Sequence, residues 1–235
     1  MKEMDYCDEI GTKNDELSNI FQNVGSEYGY KTVNAEYMAF REFKCTWQRS
    51  YNWVDFRISD YLEDAPAEVI EGLARNLFDR IKGNEANYST ALKDWVTKPE
   101  FCQDHQRTFI ERTYGILGST KGVYKDLNDS LKRLQNAGLV GEIPGLYLSW
   151  MDSVGSYKAG RCSVLMKVVT LSDRLDSEEV PDFVIDYCLF TELAHLIVGY
   201  DPDKDTNEIE SDALLKNFTQ CSEAERYLRK MTLYA

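Results

Sequence analysis

The chain of 235 residues predicts an α+β fold, and three stretches carry that expectation. Val54, Phe56 and Ile58 alternate with Asp55, Arg57 and Ser59, the period of a half-buried strand. The run CSVLMKVVTL, from Cys162 to Leu171, is rich in β-branched side chains that suit a pleated surface. The run FVIDYCLFTELAHLIVG, Phe183 to Gly199, is apolar all round, the pattern of a helix covered from both sides. Together they divide the chain into a mainly helical first region, 1–140, and a strand–helix–helix region, 141–235. The seam falls at Gly138–Gly145.

The elements follow in order. Leu17, Ile20, Phe21 and Val24 recur at helical spacing, with Gly25 as the stop. The strand at Val54–Ile58 comes next. Asp64 and Pro66 open a helix whose stripe is Ile70, Leu73, Ala74, Leu77 and Ile81, closed by Gly83. Further helices are predicted over Ala91–Val96, Pro99–Tyr114 and Val123–Ala137, the last stopped by Gly138. Gly145–Ser172 reads as strands, beginning with Tyr147–Trp150. Pro181 starts the apolar helix, Asp201–Asp205 is an acidic loop, and Ser222 with Glu225 forms a capping box for a final helix. No internal repeat or low-complexity linker is evident.

A formal net charge of −13 argues against nucleic acid or an anionic membrane as the main partner. The N-terminus, MKEMDYCDEI, lacks the basic and apolar regions of a signal peptide. The Phe183–Gly199 run holds Asp186, Glu192 and His195, so it reads as a core helix rather than a membrane span. Cys7, Cys45, Cys102, Cys162, Cys188 and Cys221 form no C-x-x-C pair, which fits a cytoplasmic protein with reduced thiols.

Chemistry concentrates in that same run, whose strongly polar side chains are Asp186, Thr191, Glu192 and His195. Burying a carboxylate and an imidazole there costs several kcal/mol unless each is paired or binds something. Glu192 and His195 lie three apart, and Thr191 and His195 four apart, so all three project from one side of the helix. This is the geometry of an H-E-x-x-H zinc-hydrolase helix in which Thr191 stands where the first histidine belongs.

The second region resembles the minimal zincin metallopeptidases of the SprT-like type. The resemblance rests on Leu148-Ser149-Trp150, Arg161-Cys162-Ser163-Val164 through Leu171-Ser172, and Leu175-Asp176 before Pro181. It continues through Val184-Ile185-Asp186-Tyr187 into Glu192-Leu193-Ala194-His195-Leu196 and ends at Ala224–Leu228. It implies a zincin-like domain, a small sheet plus the central helix. Glu192 would then stand at the general base and His195 at the second zinc ligand, with Thr191 and Asn207 at degenerate ligand positions. Ala35–Arg80 resembles the first half of uncharacterised archaeal relatives.

A catalytic zinc needs about three protein ligands and an open position for water. The chain has two histidines, His105 and His195, so one subunit cannot supply three. The expectation is a pseudo-peptidase without a cofactor that binds a peptide or protein, its oligomeric state open. In this reading Glu192 and His195 pair with each other, or with Thr191 and ordered water. The alternative is an active zinc metallopeptidase using His195 with carboxylates from Asp205, Glu208, Glu210 and Asp212.

Three further clusters carry less. Glu192-x-x-His195 is half of a di-iron motif, but His105 has Cys102, not Glu, three residues before it. Gly115–Gly122 lacks phosphate-loop spacing and reads as a turn. Arg41, Lys44, Arg49 and Arg57, interleaved with Phe43, Trp47, Tyr51 and Trp53, form the best candidate binding surface. The simpler expectation puts those aromatics in the core and leaves the cations solvated.

Overall fold

The computed structural model describes residues 2–152, 154, 156–202 and 207–234, with side chains omitted for residues 2–10, 207 and 208. The chain forms two compact units, Met1–Lys98 and Pro99–Ala235. The compositional seam at Gly138–Gly145 lies inside the second unit.

Unit 1 is built from α1 (Lys2–Glu27), β1 (Thr32–Met38), β2 (Cys45–Arg49), β3 (Trp53–Ser59), α2 (Ala67–Lys82) and α3 (Thr90–Thr97). Its sheet runs β1-β3-β2, with β1 parallel and β2 antiparallel to β3. The alternation at Val54–Ile58 is realised: Val54, Phe56 and Ile58 are buried, and Asp55 and Arg57 face out. Helix α2 is closed by Gly83 in the left-handed conformation (φ 75°). Gly25 does not stop α1. A Cβ there would lie 2.6 Å from Val33 and 2.7 Å from Phe78, so the glycine permits close packing inside the helix.

Unit 2 contains α4 (Pro99–Arg112), α5 (Leu127–Asn136), β4 (Tyr147–Met151), β5 (Gly160–Ser163), β6 (Val168–Ser172), α6 (Asp182–Val198), α7 (Asn207–Leu215) and α8 (Cys221–Lys230). The β-branched run is two strands, β5 and β6, that turn at Lys167 (φ 49°). All five residues of β6 are buried, as the central strand of the order β4-β6-β5 should be. Its core joins Trp150, Val169 and Leu171 to Val184, Leu189 and Phe190 of α6 and to Leu228 of α8. Helix α5 starts at Leu127, capped by Asp126. Helix α8 starts at Cys221 after Gln220, without a side-chain cap, so Ser222 does not play the capping role the sequence suggested.

The expectation of no repeat is corrected by topology. Each unit runs strand, antiparallel hairpin, 3-10 turn, proline, long helix. The registers agree residue for residue: Met38 pairs with Ser59 and Met151 with Ser172, Cys45 with Ile58 and Gly160 with Leu171. Ser59 N–H donates to the Lys44 carbonyl (3.1 Å) as Ser172 N–H does to that of Ala159 (2.8 Å). Ser-Asp-x-Leu opens both turns, at Ser59 and Ser172, and Pro-x-x-Val-Ile opens both helices, at Pro66 and Pro181. Outside these signatures the side chains have diverged, which hides the repeat from composition and spacing.

Candidate functional site

Helix α6 is buried along Val184–Ala194 because β5, β6, α5, α7 and α8 all pack on it. Each polar group on it therefore needs a partner, and Asp186, Thr191 and Tyr187, whose hydroxyl donates to Glu225 (3.3 Å), have one. The Asp186 carboxylate accepts from Ser130 Oγ (2.5 Å) and from Arg133 Nε (2.8 Å) and Nη2 (2.7 Å), which ties α5 to α6. Thr191 Oγ1 donates to the Tyr187 carbonyl (2.9 Å), one turn back in its own helix.

Glu192 is the exception. It is 7% exposed, and no described residue hydrogen-bonds or ion-pairs with its carboxyl. Burial drives its pKa up from 4.5 to about 7, opposed in part by Lys158. Its side chain lies against Gly160 of β5, where a Cβ would come within 2.7 Å of both Cγ and Oε1. Cys162 and Cys188 flank it, their thiols raised first by burial and then by the nearby carboxyl. His195 is only half-buried and makes no bond to Glu192. The expected Glu192–His195 pair is thus not formed, and the Thr191 hydroxyl is directed to the helix backbone.

Zinc can be tested against this donor set. Among the described residues no three His, Cys, Asp or Glu side chains converge to hold a metal. The Thr191 hydroxyl is a neutral donor already committed to Tyr187. Glu210 and Asp212 are exposed on α7. Asn207 opens that helix, but its side chain, that of Glu208, and the whole of Asp205 lie outside the described residues. The described residues do not fit a three-ligand catalytic zinc.

Unit 1 provides an internal reference for the site. Counted from the two prolines, Asn76 matches Thr191, Leu77 matches Glu192 and Arg80 matches His195. By strand register, Cys45 matches Gly160. One unit fills this position with apolar Leu77 beside a cysteine strand residue. The other places a carboxyl there and removes the facing side chain to make room. Leu77 and Glu192 are both buried, so unit 2 carries an electrostatic burden that unit 1 shows the fold does not require.

Above Glu192 lies a strand edge. Because Ser172 N–H bonds the Ala159 carbonyl, Arg161 and Ser163 direct their main-chain groups to β6, and those of Gly160 and Cys162 face outward. No described residue bonds that outer edge of Gly160 and Cys162. Just before it the chain's own Tyr234 is docked in parallel: Ala159 N–H donates to its carbonyl (2.6 Å), and Tyr234 N–H donates to Tyr157 (2.8 Å). Ala159 directs its main-chain groups to the same side as Arg161, so Tyr234 lies on the β6 side of the chain and not on this outer edge.

The other clusters resolve structurally. The residues just after the Gly115–Gly122 segment bind an anion, but it belongs to the protein. The Asp176 carboxylate accepts from the N–H groups of Val123 (2.5 Å), Tyr124 (2.9 Å) and Lys125 (2.9 Å), and a Cβ on Gly122 would overlap it. This is why helix α5 begins four residues later than the sequence predicts, at Leu127 rather than Val123. His105 packs edge-on against Phe101, with ring centroids 4.7 Å apart, and Cys102 is buried. The basic–aromatic group contradicts its simpler expectation in part: Trp47 (40%), Tyr51 (98%) and Trp53 (37%) are exposed, not core. Of its cations, Arg57 pairs with Glu36, Arg41 with Glu42, and Lys44 lies over Phe40.

Comparisons with family models, with curated proteins and with solved structures return no match. The site therefore rests on its own geometry. Sequence reasoning placed Glu192 and missed Gly160 as the residue that accommodates it. The signal was a glycine leading into a β-branched run, which marks close approach of another group to a strand.

Proposed function

We propose that unit 2 is a zincin-like pseudo-peptidase that binds an extended peptide along the outer edge of β5, with Glu192 beneath it. One observation carries this reading: a buried carboxyl with no partner among the described residues, under main-chain groups that are themselves unpaired. With a pKa of about 7, Glu192 both donates and accepts near neutral pH, so it can satisfy a peptide carbonyl or N–H. Strand addition supplies affinity through main-chain bonds, and the carboxyl supplies a polar anchor. His195 and Thr191 by themselves do not make a three-ligand zinc donor set, which favours binding over a general-base role for Glu192.

Selection of displayed unstructured peptides on the intact protein, with Glu192→Leu as the paired control, tests this. Wild type is expected to retain peptides that the variant binds at least about tenfold more weakly, the loss of one charge-assisted contact. Equal retention by both overturns the reading. So does stoichiometric zinc in the purified protein that disappears in His195→Ala together with peptide hydrolysis, which would establish the metallopeptidase with an unusual ligand set.

A further inference from the structure

Two of the four sheet edges among the described residues are explicitly closed. Along β1, Gln22, Ser18 and Asn14 project from one face of α1 and accept from the N–H groups of Val33 (2.8 Å), Ala35 (3.0 Å) and Tyr37 (2.8 Å). Along β4, the segment 115–119 pairs through Leu117 N–H to Trp150 (3.0 Å), Trp150 N–H to Ser119 (2.9 Å) and Asp152 N–H to Gly115 (2.8 Å).

Strand β2 has no such cover. Ser59 N–H to Lys44 (3.1 Å) and Ser50 N–H to Trp53 (2.9 Å) show that Lys44, Thr46, Gln48 and Ser50 direct their main-chain groups to β3. Cys45, Trp47 and Arg49 therefore present theirs outward, and no described residue bonds them there. The strand contains no proline, and Thr46–Arg49 are exposed. Such an edge is a template for another strand.

We propose that β2 pairs with β2 of a second copy of this chain, antiparallel about a two-fold axis at Trp47. Trp47 is the middle of the three outward-facing residues, so the axis sets it opposite itself with both main-chain bonds exchanged. Cys45 then faces Arg49 of the second copy, Thr46 faces Gln48, and Lys44 faces Ser50. No like charges are opposed, although the strand is ringed by cations. Trp47, 40% exposed on the face it shares with Phe56, gains an aromatic partner across the axis. On the other face, Asp55 of one copy and Arg57 of the second lie on one cross-strand row, separated by Gln48 and Thr46. A polyanion fits this surface poorly. Arg57 and Arg41 are already paired, and Glu36, Glu42 and Asp55 stand beside them. A pairing of five residues is small beside interfaces of about 1,200 Å² or more, so the dimer dissociates on dilution.

Sedimentation equilibrium of the full chain tests the proposal. The weight-average mass is expected to rise from 27.1 kDa toward twice that value with concentration. Trp47→Lys, which sets two ammonium groups at the axis, and Arg49→Pro, which removes an outward N–H and leaves the β3 ladder intact, are both expected to hold the mass at 27.1 kDa. Circular dichroism verifies that each variant is folded. A wild-type mass that stays monomeric up to about 1 mM overturns the proposal. So does a dimer that persists unchanged in whichever variant remains folded, since its interface then lies elsewhere.

Discussion

Glu192 and Leu77 occupy equivalent positions in the two units, and the difference between them is a statement about stability. The folded-state pKa of Glu192, about 7, lies above its ordinary 4.5, so in that window the folded protein keeps a proton that the unfolded chain has released. Its contribution to stability is therefore largest below about 4.5 and is lost as pH rises through about 7, a total on the order of 3 kcal/mol. Glu192→Gln should flatten this dependence. Glu192→Leu should raise stability at pH 8 by roughly 1–3 kcal/mol while weakening peptide binding. Urea melts of wild type and both variants from pH 4.5 to 8 check this. A wild type no more pH-sensitive than Glu192→Gln would mean that the carboxyl is solvated or paired.

At the scale of elements, α6 is held by polar ties to two neighbouring helices near its N-terminal end as well as by its apolar surface. Asp186 engages Ser130 and Arg133 on α5, and Tyr187 donates to Glu225 on α8 (3.3 Å). Ser130 is fully buried, so removing its acceptor strands a hydroxyl, while the part-exposed Arg133 guanidinium keeps Asp182 nearby (4.0 Å). Asp186→Ala should cost about 2–4 kcal/mol. Arg133→Ala should cost less, because Asp186 keeps Ser130. A double-mutant cycle on the denaturation midpoints would show the coupling, and additive losses would deny it. The sequence marked Asp186 as a polar residue needing a partner but could not name Arg133, 53 residues away.

Across the whole molecule, the repeated architecture makes one unit a guide to the other. If Cys45 and Leu77 are the counterparts of Gly160 and Glu192, the two changes should compensate in unit 2. Gly160→Cys alone forces its side chain into Glu192 and Leu171, a loss of roughly 1–3 kcal/mol. Gly160→Cys with Glu192→Leu should recover at least half of that in thermal or urea melts. A double variant as unstable as the sum of its parts would dissolve the equivalence. The two proposals also concern different units: the peptide proposed for β5 belongs to unit 2, and the second copy proposed for β2 to unit 1.

Read alone, the sequence determined what periodicity and backbone chemistry report. It gave the α+β class, the strand at Val54–Ile58, the helix closed by Gly83, the apolar helix begun by Pro181, and Glu192 as a carboxyl in a buried place. These are local properties of side-chain spacing, or of the dihedrals that glycine and proline allow. Only the tertiary structure decided the rest. Strand pairing, the repeat, the capture of Asp176 by Val123–Lys125 and the space that Gly160 leaves for Glu192 all join residues far apart in the chain. Such contacts leave no period in the sequence, because what defines them is the register between elements and not the order of residues within one.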